Sequence, residues 1–173
     1  MLIAVLLAGA AVAQTLQAPS AGRMSATEVG IEPMMRLSTA DYRALSHDND
    51  AYAVAAAQIA RRRAQRAPIR DLSAMLGADH ARALAARGPA GAPAAPALRM
   101  PFARALQALD AVPADRFDAL YLRQTLEAHR HAWALHAGYA ADGADPALRT
   151  RAGADLALEE AHLHRLPMRP KPY

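Results

Sequence analysis

Four residues scattered along the chain carry donor atoms at positions from which helices could bring them to one metal ion: His80, His129, Glu159 and His162. A neutral imidazole facing a helical core is a natural metal ligand, and several helices can converge on one ion. Glu159 and His162 form an E-x-x-H pair, a spacing that sets a carboxylate and an imidazole on neighbouring points of one helix face. Cysteine is absent, so thiolate sites and disulfides are excluded, and the nitrogen and oxygen donors suit a transition metal such as iron, zinc or copper. The same residues have a plainer use, because a buried histidine can bond a carboxylate, a carbonyl or water, and glutamate is common in helices.

The densest histidine run, "EAHRHAWALH" at 127–136, is not a local metal motif. His129, Trp133 and His136 share one helical face, while His131 points about 200° away from His129. His129 and His136 are separated by about 10.5 Å along the axis, too far to bind one ion together. A complete dimetal site is also not expected. It needs carboxylates from the first and third long helices and two E-x-x-H motifs, but the second helix offers Gly77-x-x-His80. The first helix offers only Asp48 and Asp50 near that level, and Glu127 lies about 200° around the third from His129. His47-Asp48 and Asp79-His80 are chain neighbours whose side chains diverge on a helix, so neither pair is a ready-made dyad. No G-x-S-x-G elbow, H-E-x-x-H motif or phosphate-cradling glycine loop is present. Met34-Met35 in the leader reads as incidental rather than as a copper site.

Four long helices are expected to position these side chains. Ser38 caps the first, with Asp41 completing a capping box, and Tyr42, Leu45, Asn49, Tyr52, Ala56 and Ile59 form its inner stripe as it runs to about Arg66. Pro68 opens the second, which carries Leu72, Leu76, His80 and Leu84 inward and stops at Gly88. The Pro/Ala/Gly-rich stretch 88–101 is a connection, followed by a short helix near 102–111. The third long helix starts between Pro113 and Phe117 and repeats Leu122, Leu126, His129, Trp133 and His136 along a bundle-type seam to Gly143. Asp145-Pro146 starts the fourth, whose face is Leu148, Ala152, Leu156, Glu159, Leu163 and Leu166. No segment alternates at period two long enough to make a strand. The pattern predicts an all-α domain over 38–166, an antiparallel four-helix bundle with its longer connection between helices two and three.

Composition bounds the function. Alanine, small and the best helix former, supplies much of a 53% hydrophobic chain that is only 5% aromatic. The net charge of +4 is almost all arginine, with Lys171 the only lysine. The basic run "RRRAQR" at 61–66 falls at a helix end, where cations complement the dipole, and no aromatic residues interleave with it; no nucleic-acid partner is expected. The first thirteen residues are apolar and uncharged and end in Ala11-Val12-Ala13, which reads as a secretory signal cleaved after Ala13, although it lacks a leading Lys or Arg. Residues 14–37 then form a flexible leader and 167–173 a proline-rich tail. After cleavage no transmembrane segment is expected, which places the protein in the periplasm or otherwise outside the cytoplasm in soluble form.

Several stretches resemble a bacterial family of exported, ferritin-like helical proteins of unknown function, often labelled periplasmic or outer-membrane proteins. They are "STADY", "DLSAMLGADH" (71–80), "FDALYLRQTLEAH" (117–129), "ALHAGYAADGADPALR" (134–149) and "EEAHL" (159–163), and together they span about 38–166. The resemblance implies a ferritin-like four-helix fold and maps His80, His129 and His162 onto recurrent histidine positions. Family members commonly carry a glutamate midway along the first long helix, where this chain has Ala53. The family brings no reaction. Two readings follow: an exported helical bundle with a binding or envelope/stress role through an unknown protein or envelope partner, and a metal-binding ferritin-like protein with a His-based core site. No catalytic residue is assigned, and an enzyme is the less favoured class.

Overall fold

A computed structural model describes residues 23–87 and 98–167. The signal-like stretch at 1–13, Gly88 with most of the connection after it, and all but Pro167 of the tail lie outside these residues. Every regular element among the described residues is a helix: α1 (Ala26–Val29), α2 (Thr39–Arg63), α3 (Ala67–Ala86), α4 (Met100–Ala111), α5 (Ala114–Asp142) and α6 (Pro146–Leu163). None of them is long and apolar enough to cross a membrane.

The helix ends follow local chemistry. Ser38 Oγ accepts from the Asp41 amide at 3.1 Å, while the Asp41 carboxylate takes the Ser38 hydroxyl at 2.7 Å instead of reaching back to the backbone. Asp145 caps α6 by accepting from the Ala147 and Leu148 amides, with Pro146 in the first turn. α2 ends at Arg63, three residues earlier than expected from the sequence. The chain turns there because Asp118 of α5 accepts from the amides of Gln65 and Arg66 at 2.9 and 3.1 Å and holds the turn into α3. Arg63 donates to the carbonyls of Leu109, Asp110 and Val112 at the end of α4, and its guanidinium lies 5.0 Å from the Phe117 ring centroid. Part of the basic run therefore ties α2 to α4.

α2 packs closely on α3, α5 on α6, and α2 on α5, while α4 covers the α2/α5 face at one end. Between α2 and α3 the approach is so close that a Cβ on Gly77 would lie 2.8 Å from the Ala57 Cβ. That crossing explains why the E-x-x-H position on α3 holds glycine: no larger side chain fits. Residues 23–37, read from the sequence as flexible leader, form a packed strap. Ser25 and Glu28 make a capping box around α1, Val29 is fully buried, and the Met34 amide donates to the Ala134 carbonyl of α5 at 2.8 Å. Gly138 is what admits the strap, since a Cβ there would meet the Met34 carbonyl oxygen at 1.9 Å.

The core is apolar at both ends. Tyr52, Ala56, Ile69, Leu109, Phe117 and Tyr121 cluster at one, and Tyr42, Leu135, Tyr139 and Ala152 at the other. Between them along α2 and α5 runs a buried polar layer containing Asp50, His80, His129, Asp155, Glu159 and His162. Enclosing so many ionisable groups costs stability unless each finds a partner.

Candidate metal centre

All four residues singled out in the sequence meet in that layer. His80 comes from α3, His129 from α5, and Glu159 and His162 from α6; each is 0–2% exposed. One ligand atom from each lies within 4.8 Å of the others. The three imidazole rings stand at the corners of an equilateral triangle, every pair of centroids 5.2 Å apart. Among the described residues no other group of three or more His, Asp or Glu side chains converges in this way.

The outer nitrogen of each ring is already held. His129 Nδ1 donates to the Thr125 carbonyl at 2.9 Å. A carbonyl only accepts, so Nδ1 carries the hydrogen and the neutral ring points the Nε2 lone pair inward. His80 Nδ1 lies 2.9 Å from Asp50 Oδ1, and its Nε2 faces His129 Nε2 at 3.4 Å. His162 bonds Asp79 Oδ2 through Nε2 at 3.0 Å, which leaves Nδ1 on the inner side. Glu159 Oε2 and His162 Nδ1 are buried with no hydrogen-bond partner. An imidazole whose far nitrogen is fixed by a carboxylate or carbonyl is the usual arrangement around a bound metal.

Electrostatics divide the cluster. Burial pushes the Glu159 carboxyl up to about 8. Burial, reinforced by the charges of His80 and His162, holds His129 well below the ordinary histidine value. Burial also takes His162 down to about 4 against the opposing bond to Asp79. At His80 burial pulls the same way, but the Asp50 hydrogen bond and the charges of Glu159, Asp50 and Asp79 outweigh it and raise the ring.

The four residues named from the sequence come together here, and the partners that orient them were not read from it. Asp79 does diverge from its neighbour His80, as its helical phase requires, and pairs with His162 across the α3/α6 seam. Asp50 serves His80 rather than an ion, and Arg87 anchors Asp50 from the far side at 2.7 Å and bridges to Asp155 at 3.0 Å. Asp48 pairs with Arg99 and stands outside the cluster, with His47 Nδ1 no nearer than 3.9 Å. Glu127 is on the surface with Arg130 at 3.0 Å. Ala53 lines a cavity of about 10 Å³ beside His129, so this position of α2 brings no carboxylate to the cluster. The sequence offered Asp79 only as the chain neighbour of His80 and Asp50 only as a carboxylate near that level; their partners became identifiable only once the helices were paired.

His136 belongs to a separate arrangement. Its Nδ1 is 3.1 Å from the Tyr42 hydroxyl, and burial lowers the ring from 6.5 to about 4. Between those values the unfolded chain holds the proton and the folded chain does not, so stability falls as pH drops through that window. The loss totals roughly 3 kcal/mol. Urea unfolding of the parent and of His136→Gln at pH 7.5, 6 and 5 checks this: the parent should lose stability faster on acidification. Parallel curves would remove His136 from the account.

An all-helical domain whose core is interrupted by three buried histidines and one buried carboxylate is the class that the fold and the site define. The chain belongs to the family of the domain of unknown function DUF4142, whose profile matches residues 24–167 and so begins within the strap. No match was found among curated proteins or among solved structures.

Proposed function

We propose that this protein is a ferritin-like four-helix protein that holds one divalent transition-metal ion in its core, through His80 Nε2, His129 Nε2, His162 Nδ1 and a carboxylate oxygen of Glu159. The observation that carries this reading is the pair of orphaned buried atoms, Glu159 Oε2 and His162 Nδ1, at the centre of an imidazole triangle whose outer nitrogens are all engaged. Each unsatisfied buried group costs about 1–3 kcal/mol, and a cation between them would satisfy both. Three nitrogens and one oxygen without thiolate suit zinc, iron or copper(II), and the ion would supply Lewis acidity or, for iron and copper, a redox centre. The competing reading, a metal-free helical protein with a binding or envelope role, leaves those two atoms without a protein partner. Export belongs to the same proposal and rests on the apolar stretch at 1–13.

The test is metal analysis of protein purified without an affinity tag, followed by titration of chelator-treated protein with zinc(II) and cobalt(II). One equivalent per chain is expected, and absence of stoichiometric binding by any divalent transition ion would end the reading. Asp79→Asn should weaken binding by roughly 10–100-fold with the fold intact, as loss of an outer hydrogen-bond partner does elsewhere.

A further inference from the structure

Apart from the two orphans of the metal centre, Asn49 presents the same feature in a different place. It is 4% exposed, and its Oδ1 has no hydrogen-bond partner. It lies well inside α2, where asparagine is a poor helix former, so helix formation gives no reason for it. Asn49 lines a cavity of about 400 Å³ whose other walls include Met34 of the strap, Leu45 of α2, Phe102 of α4, and Ala132 and Leu135 of α5. That volume lies in the range of small-molecule sites, and a mostly apolar wall with one fixed polar group is their usual make-up.

We propose that this cavity binds a small, uncharged, largely apolar molecule carrying one hydroxyl or N–H donor, which bonds Asn49 Oδ1. An amide oxygen only accepts, so the complementary group is a donor. An anionic ligand is disfavoured because the one guanidinium on the lining, Arg99, is already taken by Asp48. His131, the member of the histidine run that turns away from the metal centre, stands exposed on the same lining. Nothing in the proposal depends on a metal, since Asn49 touches none of the four converging residues in the hydrogen-bond network.

Calorimetric titration of the full chain with 1-naphthol and with its methyl ether, 1-methoxynaphthalene, tests it. 1-Naphthol is expected to saturate at one equivalent and to bind about three- to tenfold more tightly than the ether, the range set by one neutral hydrogen bond. Asn49→Leu should bring the two ligands to parity, and Leu135→Trp, which fills the cavity, should abolish binding of both. Thermal melts of each variant run alongside, and Leu135→Trp tests the cavity from another wall if Asn49→Leu does not fold. The proposal is overturned by equal affinities in the parent, by binding that survives Leu135→Trp, or by no saturable binding at all.

Discussion

Replacing His129 with leucine is expected to leave a folded protein that gains no stability from a metal ion. His129 is the most constrained member of the cluster: its Nδ1 hydrogen is committed to Thr125, and burial keeps the ring neutral. Its only contribution to the centre is the inward Nε2 lone pair. Leucine is close in size, and it removes a buried polar ring without opening a large void, so the metal-free variant should stay within about 1.5 kcal/mol of the parent. The two proteins should separate when metal is added. A ligand at a thousand times its dissociation constant stabilises the native state by about 4 kcal/mol. For a chain of this size that corresponds to roughly 8–16 °C in the unfolding midpoint. Circular-dichroism melts of both proteins, with excess zinc(II) and with chelator, give the comparison. A midpoint that rises equally in parent and variant would place the ion elsewhere. A variant that is unfolded without metal would mean that His129 is there for packing.

The second large effect is expected at Arg87, just behind the centre. Its Nε donates to Asp50 Oδ2 at 2.7 Å and its terminal nitrogen to Asp155 Oδ2 at 3.0 Å, while the two aspartates are only 2% and 6% exposed. Asp155 keeps Arg151 as a partner at 2.8 Å, but Asp50 would be left with His80 alone. Breaking a buried pair by removing one partner costs about 3–5 kcal/mol, because the remaining charge is stranded out of water. Arg87→Met should therefore lose stability in that range by urea unfolding. Arg87→Met with Asp50→Asn should recover part of it, since the amide carries no charge and can still hold His80. A double variant no more stable than the single one would show that Arg87 contributes through packing of its stem rather than through charge. Metal affinity should also fall in Arg87→Met, because Asp50 is what orients His80.

How much of this was legible beforehand follows from which interactions are local. Ser38, Pro68, Asp145 and Pro146 mark helix starts because a cap or a fixed φ acts within one turn, and the structure places helices at each of them. Inner stripes are equally local in origin, so spacing alone places His80, His129 and Glu159 on them and His162 beside one. Where a helix stops was harder to read. Arg63 ends α2 because Asp118, fifty-three residues from Gln65, holds the turn, and no nearby residue records it. The strap at 23–37 was missed for a similar reason: its short helix has no repeating stripe, and its anchor is the space left by Gly138 on α5.

The chain alone thus determined an all-helical domain, free of cysteine chemistry, with four donor residues on or beside the inner stripes of three helices, because periodicity and capping are properties of neighbouring residues. Only the packing of those helices decided that the donors share one layer and that Asp50, Asp79 and the Thr125 carbonyl fix the outer ring nitrogens. Packing also left Glu159 Oε2, His162 Nδ1 and Asn49 Oδ1 without partners. A hydrogen bond depends on distances of a few tenths of an ångström between residues tens of positions apart, and helical phase leaves those distances open until the helices are set against one another.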